Sequence, residues 1–235
     1  MLHFAGGSSY SFDFMKEYLK QTYDIIPLEL PGRGKRIKED LLKDKHSAIK
    51  DYVHQIKALR NQQPYLIYGH SMGADLGFYV TKIMEHHRDA PQFLITSGNA
   101  GPGVDEVDEE GNVIKRNRYL MSDVQFKSEL REMGGMPEEM LDDEDIFDFF
   151  NPIIRADFEI LEKVNYLSTE LTIHTPIHAI MGSEEQTAEQ IQNWKRLTTK
   201  AFYSTIMEGN HFFIHDHPYQ MAQIIVNCKK QRQSM

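Results

Sequence analysis

A single cysteine, a single tryptophan and a shortage of basic residues set the first limits on this chain. With Cys228 alone no intramolecular disulfide can form, which fits a reducing compartment, and a cytoplasmic location is expected. Cys228 lies in an amphipathic stretch near the end and reads as a free thiol on a last helix. Lys and Arg number 26 against 35 Asp and Glu, giving a net charge of -9 and a pI near 5.6. No basic stripe is available to neutralise phosphates, so a nucleic-acid partner is not expected. No apolar run approaches the roughly 18 residues of a membrane span, and the first residues show no signal-peptide pattern. Internal repeats, low-complexity tracts and the G-x-G-x-x-G and G-K-[ST] phosphate loops are also missing.

What remains is a chain of 235 residues, 40% hydrophobic and 26% charged, enough for one α/β domain with a sizeable core. Strand-like runs occur at 1–4, 23–30, 65–68, 92–97, 177–181 and 202–207. Amphipathic, helix-like segments lie at 12–19, 46–60, 74–86, 189–199 and 219–229. Such alternation predicts a mostly parallel central sheet flanked by helices on both faces. Two stretches break the rhythm. Residues 101–118 carry a turn signal between short β-compatible runs and read as a hairpin or a loop. Residues 122–164 read as helix in pieces, broken at "GGMP", and are expected to form a lid, an insertion spanning about 119–165. The acidic run "EEMLDDEDIFDFF" reads as a solvated helix face.

The stretch "YLIYGHSMGADLGFY", residues 65–79, carries the chemistry. Ser71 stands where a buried strand meets a helix, with Gly69 and Gly73 two residues to either side. That G-x-S-x-G pattern is the nucleophile elbow of α/β-hydrolases, and the expected fold is therefore an α/β-hydrolase with a helical lid. A serine hydroxyl needs a base, and the base needs an orienting acid. The order serine, acid, histidine is met by "GSEEQ" after the strand at 177–181 and by "EGNHFF" after the strand at 202–207. His211 is the expected base. Glu185 is preferred as the acid, with Glu184 as its alternative. Two backbone N–H groups must receive the oxyanion, and Met72, after the nucleophile, and Ala5, in "FAGGSS", are the candidates. His70 is expected to pack with its side chain away from Ser71. His215, Asp216 and His217 lack a second matching pair, so no metal is expected. Met133, Met136, Met140 and Phe149 suggest an adaptable apolar lining of the lid.

Taken together, "HFAGGSSYSF", "LELPGRG", "IYGHSMGADLGF", "REMGGMPEEM", "FFNPIIRADFEILE" and "EGNHFFI" resemble, in that order, the type II (external) thioesterases of nonribosomal peptide and polyketide synthesis, most nearly the surfactin type. The elbow is shared by many hydrolases; "GGMP" and "PIIRADFEILE" discriminate better. The resemblance implies a stand-alone hydrolase that removes stalled or mis-primed acyl groups from the 4'-phosphopantetheine arm of carrier domains through a Ser71 acyl-enzyme. It implies no cofactor beyond that arm, a carrier domain as partner, and a monomer. It also places the acid at Glu185, where aspartate is usual. The chain starts almost at the "FAGG" loop, so the strand before that loop is short or begins upstream. Residues 101–118 form a longer insertion than in relatives. An acidic carrier calls for a basic docking patch, for which Lys115, Arg116 and Arg118, or Lys35 and Arg36, are candidates. The competing readings are a general small-ester or acyl-CoA hydrolase and a non-enzymatic hydrolase fold that binds acyl carriers.

Overall fold

The computed structural model describes residues 1–104, 110, 112–114, 116–163 and 172–232. Its helices and strands, in chain order, are α1 (Asp13–Leu19), α2 (Lys45–Leu59), β1 (Ile67–His70), α3 (Met72–His86), β2 (Leu94–Ser97), α4 (Asp123–Met133), α5 (Glu138–Asp142), α6 (Glu144–Glu162), β3 (Ile177–Gly182), β4 (Phe202–Met207) and α7 (Pro218–Arg232). The strands pair in parallel in the order β1-β2-β3-β4.

Alternation along the strands decides which helices each face receives. Ile67, Leu94, Ile177, Ala179 and Met181 point to the side covered by α2 and α3, where Tyr52, Leu76 and Phe78 are buried. Tyr68, Ile95 and Ile180 point to the other, where α1 and α7 supply Met15, Leu19, Met221 and Ile225. A strand buried on both faces reads as an apolar run, which is why β1, β2 and β3 were legible; β4 is an edge strand, half-buried or exposed as far as Met207.

The first two strand-like runs reduce to single bridges, Leu2 with Leu28 and Leu2 with Gly69, both parallel. Pro27, just before Leu28, has no N–H to give a ladder, so pairing cannot propagate along that edge. The segment expected as a helix at 189–199 is instead a 3₁₀ helix, Ala188–Leu197. Its buried residues, Ala188, Ile191, Trp194 and Leu197, recur every third position and align only at three residues per turn.

Between β2 and β3 lies the helical insertion, with a 3₁₀ turn at Arg118–Leu120 followed by α4, α5 and α6. Ser122 and Gln125 form a capping box at the start of α4, and Gly134 ends it in the left-handed conformation. Phe126, Leu130, Leu141, Phe147, Ile154 and Phe158 bury one another in a core of the insertion's own. A Cβ on Gly135 would lie 2.2 Å from the Phe212 ring, so the "GGMP" turn rests directly on the loop carrying His211. Much of the 101–118 segment lies outside the described residues.

Candidate active site

Ser71 joins β1 to α3 with φ 54° and ψ -113°, a conformation that costs a non-glycine residue about 1–3 kcal/mol. Its two glycines are required by close approach. A Cβ on Gly69 would lie 2.1 Å from the Gly73 carbonyl oxygen, and one on Gly73 would lie 2.1 Å from that of Leu2. The turn is held from the end of β2. The Ser71 N–H donates to the Ser97 carbonyl at 2.8 Å, and Asn99 Nδ2 donates to the Ser71 carbonyl at 3.4 Å.

The loops after β3 and β4 open at the same end of the sheet as this turn, where doubly wound folds gather their ligands. They bring Glu185 and His211 to Ser71. His211 Nε2 lies 3.0 Å from Ser71 Oγ, and His211 Nδ1 lies 2.8 Å from Glu185 Oε2. The second carboxylate oxygen of Glu185 accepts the Gly182 N–H at 2.7 Å, so the group is anchored on both sides. The Glu185 side chain is 7% exposed and that of His211 24%. Glu184 is exposed, and its backbone N–H donates to the Gly209 carbonyl at 3.0 Å. Of the two carboxylates, the structure brings Glu185 to the imidazole and leaves Glu184 outside.

The N–H groups of Ala5 and Met72 have no acceptor among the described residues, whereas the amides from Gly6 to Ser9 are all engaged. Met72 opens α3, where a free N–H is ordinary and the helix dipole favours negative charge.

Behind the imidazole lies His70, fully buried, with its ring centroid 5.1 Å from that of His211. Its Nδ1 and the Tyr68 hydroxyl both lie 2.9 Å from Ser97 Oγ. Burial, with repulsion from His211 and His215, holds the His70 pKa well below its usual value, so the ring is neutral. As expected, it packs and does not reach the serine.

Other expectations need correction. Phe149 is 54% exposed, because it stands two residues from inward-facing Phe147 and therefore on the opposite side of α6. Met133 and Met136 pack on the insertion's own core, and Met140 is half-buried. The suggested basic patches are largely spent internally. Arg116 pairs with Glu129, Arg118 with Glu129 and Glu162, and Arg36 with Glu39 and Asp51. Lys35 is exposed, 6.0 Å from the Tyr10 ring centroid, and Lys115 lies outside the described residues. His215 stacks on Phe212 and packs against Phe14, while His217 Nε2 donates to the Glu208 carbonyl. Among the described residues no three His, Cys, Asp or Glu side chains converge as metal ligands.

The structure also adds residues that motif reading overlooked. Asp157 of α6 and Arg33 form a buried, two-pronged ion pair, 2.5 and 2.8 Å, that reaches the "FAGG" loop through the Gly6 N–H. Their only signal was the charge in the quoted "PGRG" and "IIRADF" stretches. Phe212 walls the site beside Phe4, ring centroids 5.1 Å apart.

The chain is 28% identical to "Gramicidin S biosynthesis protein GrsT" of Aneurinibacillus migulanus over 97% of its own length and 86% of that protein's. It is 26% identical to "Thioesterase PikA5" of Streptomyces venezuelae, over 95% and 77%. Among solved structures, the type II thioesterase BorB from the borrelidin biosynthetic cluster superposes with a TM-score of 0.84, 26% identity, and coverage of 97% of this chain and 90% of that one. The thioesterase domain family model matches residues 1–231, and the chain belongs to that family.

Proposed function

We propose that this protein is a serine thioesterase that frees acyl groups from the 4'-phosphopantetheine arm of a synthetase carrier domain. The observation that carries this reading is the continuous line Ser71 Oγ, His211 Nε2, His211 Nδ1, Glu185 Oε2, with steps of 3.0 and 2.8 Å. The carrier-domain substrate is supported by the relatives, which include a gramicidin S biosynthesis protein and a type II thioesterase from the borrelidin biosynthetic cluster.

In this mechanism Glu185 holds His211 in the tautomer with Nδ1–H, leaving the Nε2 lone pair for the serine proton. Ser71 Oγ attacks the thioester carbonyl as His211 takes that proton. The oxyanion forms against the N–H groups of Ala5 and Met72. Collapse breaks the C–S bond, and the His211 proton passes to the pantetheine sulfur. Water then gives a proton to His211 and attacks the acyl-enzyme, and a second collapse returns the proton to Ser71 and frees the acid. In this reading the helical insertion is a lid over this path, supported by the turn at Gly134–Gly135 lying on Phe212. The reading includes no cofactor of the enzyme's own, a monomer, and a cytoplasmic setting. Among the described residues no helix is long and apolar enough to cross a membrane.

The test is hydrolysis of acetyl-phosphopantetheine on a carrier domain against acetyl-CoA and p-nitrophenyl acetate at equal concentration. A clear preference for the carrier supports the proposal. Equal rates would leave a general acyl hydrolase, and no turnover of any of the three would leave an acyl-carrier-binding fold.

A further inference from the structure

The "FAGG" loop has to present one amide to the reaction and dispose of the rest, because a buried N–H without an acceptor is costly. The five amides from Ala5 to Ser9 are distributed accordingly. Gly6 N–H donates to Asp157 Oδ2 at 2.8 Å, Gly7 N–H to the Phe4 carbonyl at 2.9 Å, Ser8 N–H to Ser11 Oγ at 2.8 Å, and Ser9 N–H to Glu29 Oε1 at 2.8 Å. Only Ala5 N–H has no acceptor among the described residues.

Gly6 is the pivot of that arrangement. It has φ +76°, and a Cβ there would meet Ile154 Cγ1 at 2.9 Å, so the loop lies directly against α6. Its acceptor, Asp157, is fully buried and is gripped by both Nη atoms of Arg33, a side chain only 3% exposed. Arg33 Nη1 also reaches the Gly7 carbonyl at 3.4 Å. A buried ion pair of this kind is weak evidence for stability, because desolvation consumes most of the attraction and an apolar pair would join α6 to the sheet as well. What an apolar pair could not do is accept an amide hydrogen. A charged acceptor also makes that bond short and directional.

We propose that Asp157, held by Arg33, is a positioning residue for the oxyanion hole: by taking the Gly6 N–H it fixes the loop so that, of the loop's amides, only that of Ala5 joins Met72 N–H in facing the carbonyl attacked by Ser71. This rests on the Ser71 mechanism above. Because Asp157 belongs to the helical insertion, the insertion is then part of the oxyanion hole's support as well as a cover. Displacing an oxyanion donor even slightly weakens a contact made in the transition state and leaves substrate binding almost untouched.

The experiment compares wild-type enzyme with Asp157→Asn and Arg33→Lys on acetyl-carrier and p-nitrophenyl acetate, with active sites counted by fluorophosphonate labelling taken to completion. In Asp157→Asn, kcat per labelled site should fall about 10- to 100-fold on both substrates while KM stays within about threefold. The affinity for an acyl trifluoromethyl ketone, whose hydrate-like adduct needs the same donors, should weaken by the same factor. A purely structural tie would lower the thermal midpoint and the number of labelled sites, with kcat per site unchanged, and would overturn the proposal. So would a change confined to KM. If Asp157→Asn does not fold, Arg33→Lys carries the test. It keeps the charge but loses the two-pronged grip, so the same kcat-only signature should appear at about 3- to 10-fold, and an unchanged kcat again overturns the proposal. An inactive wild-type enzyme, or an active Ser71→Ala, would instead reject the mechanism on which the inference rests.

Discussion

The ring of His70 lies 5.1 Å, centroid to centroid, behind that of His211, and the two planes are inclined by 37°. One histidine sits in the line to Ser71, and the other supports it from the buried side. Burial keeps His70 uncharged, which spares the site a second positive charge when His211 carries the serine proton. His70→Phe should therefore keep kcat within about threefold and leave the acid limb of the pH–rate profile where it is. It should cost about 1 kcal/mol of stability for the lost bond to Ser97. His70→Ala, which removes the supporting ring, should lower kcat about 10-fold. A displaced acid limb in His70→Phe would make His70 a titrating participant.

The two adjacent carboxylates should separate cleanly. Glu185→Gln keeps the size of the group and offers an uncharged partner to His211 Nδ1, whose proton is then no longer held in place. The expected loss in kcat is up to about 10⁴-fold, with the fold retained. Glu184→Gln, exposed and away from the imidazole, should change kcat less than about twofold. Steady-state kinetics on one thioester decide the point, and the reverse order would exchange the roles.

How far the sequence could lead depended on whether the information was local. β1, β2 and β3 announced themselves because burial on both faces makes them apolar, the edge strand β4 by its aromatic and β-branched residues, and Ser71 because the G-x-S-x-G spacing meets a local steric need. Glu185 is preferred over Glu184 from its place in the loop and then from the resemblance, but the residues leave both open, since the loop geometry that chooses between neighbours is set in three dimensions. The Arg33–Asp157 pair joins residues 124 positions apart and has no periodicity to betray it. Met133 and Met136 were misread because a methionine- and phenylalanine-rich insertion can bury its apolar groups in itself, and Phe149 because it lies on the outward side of α6. The basic clusters were misread for a related reason. Arg116 and Arg118 look free in one dimension and meet Glu129 once α4 is folded.

The elbow glycines give a stability prediction. Gly69→Ala and Gly73→Ala each place a methyl group 2.1 Å from a backbone carbonyl oxygen, which a rotamer change cannot relieve. Either β1 and α3 separate or Ser71 leaves its strained turn. We expect a loss of about 3 kcal/mol or more in each, seen as a lowered midpoint in chemical denaturation. Activity should be almost abolished even where folded protein is recovered. Normal stability with Ala at both positions would mean that the turn relaxes without cost.

Acid sensitivity follows from two desolvated histidines outside the reaction line, His3 buried and His178 half-buried. Burial pushes His178 from 6.5 down to about 4, and burial with the nearby Arg33 charge pushes His3 to about 4 as well. In the unfolded chain both take up a proton near pH 6.5. Between pH 6.5 and about 4 the unfolded state therefore binds more protons than the folded one, and stability falls as the pH falls through that window. Above it neither histidine contributes a slope, and below about 4 the loss levels off. The full shift corresponds to ~3 kcal/mol per histidine. His178 is the better probe, because its Nε2 meets the Thr205 hydroxyl at 2.9 Å, its Nδ1 lies 3.9 Å from Cys228 Sγ, and its ring can be replaced without touching the loop at Ala5. His178→Gln should start less stable at pH 7.5 but lose ~3 kcal/mol less than the wild type by pH 4, as read from denaturant midpoints across the range. Parallel curves would mean that the folded protein accepts a proton at His178 as readily as the unfolded chain does.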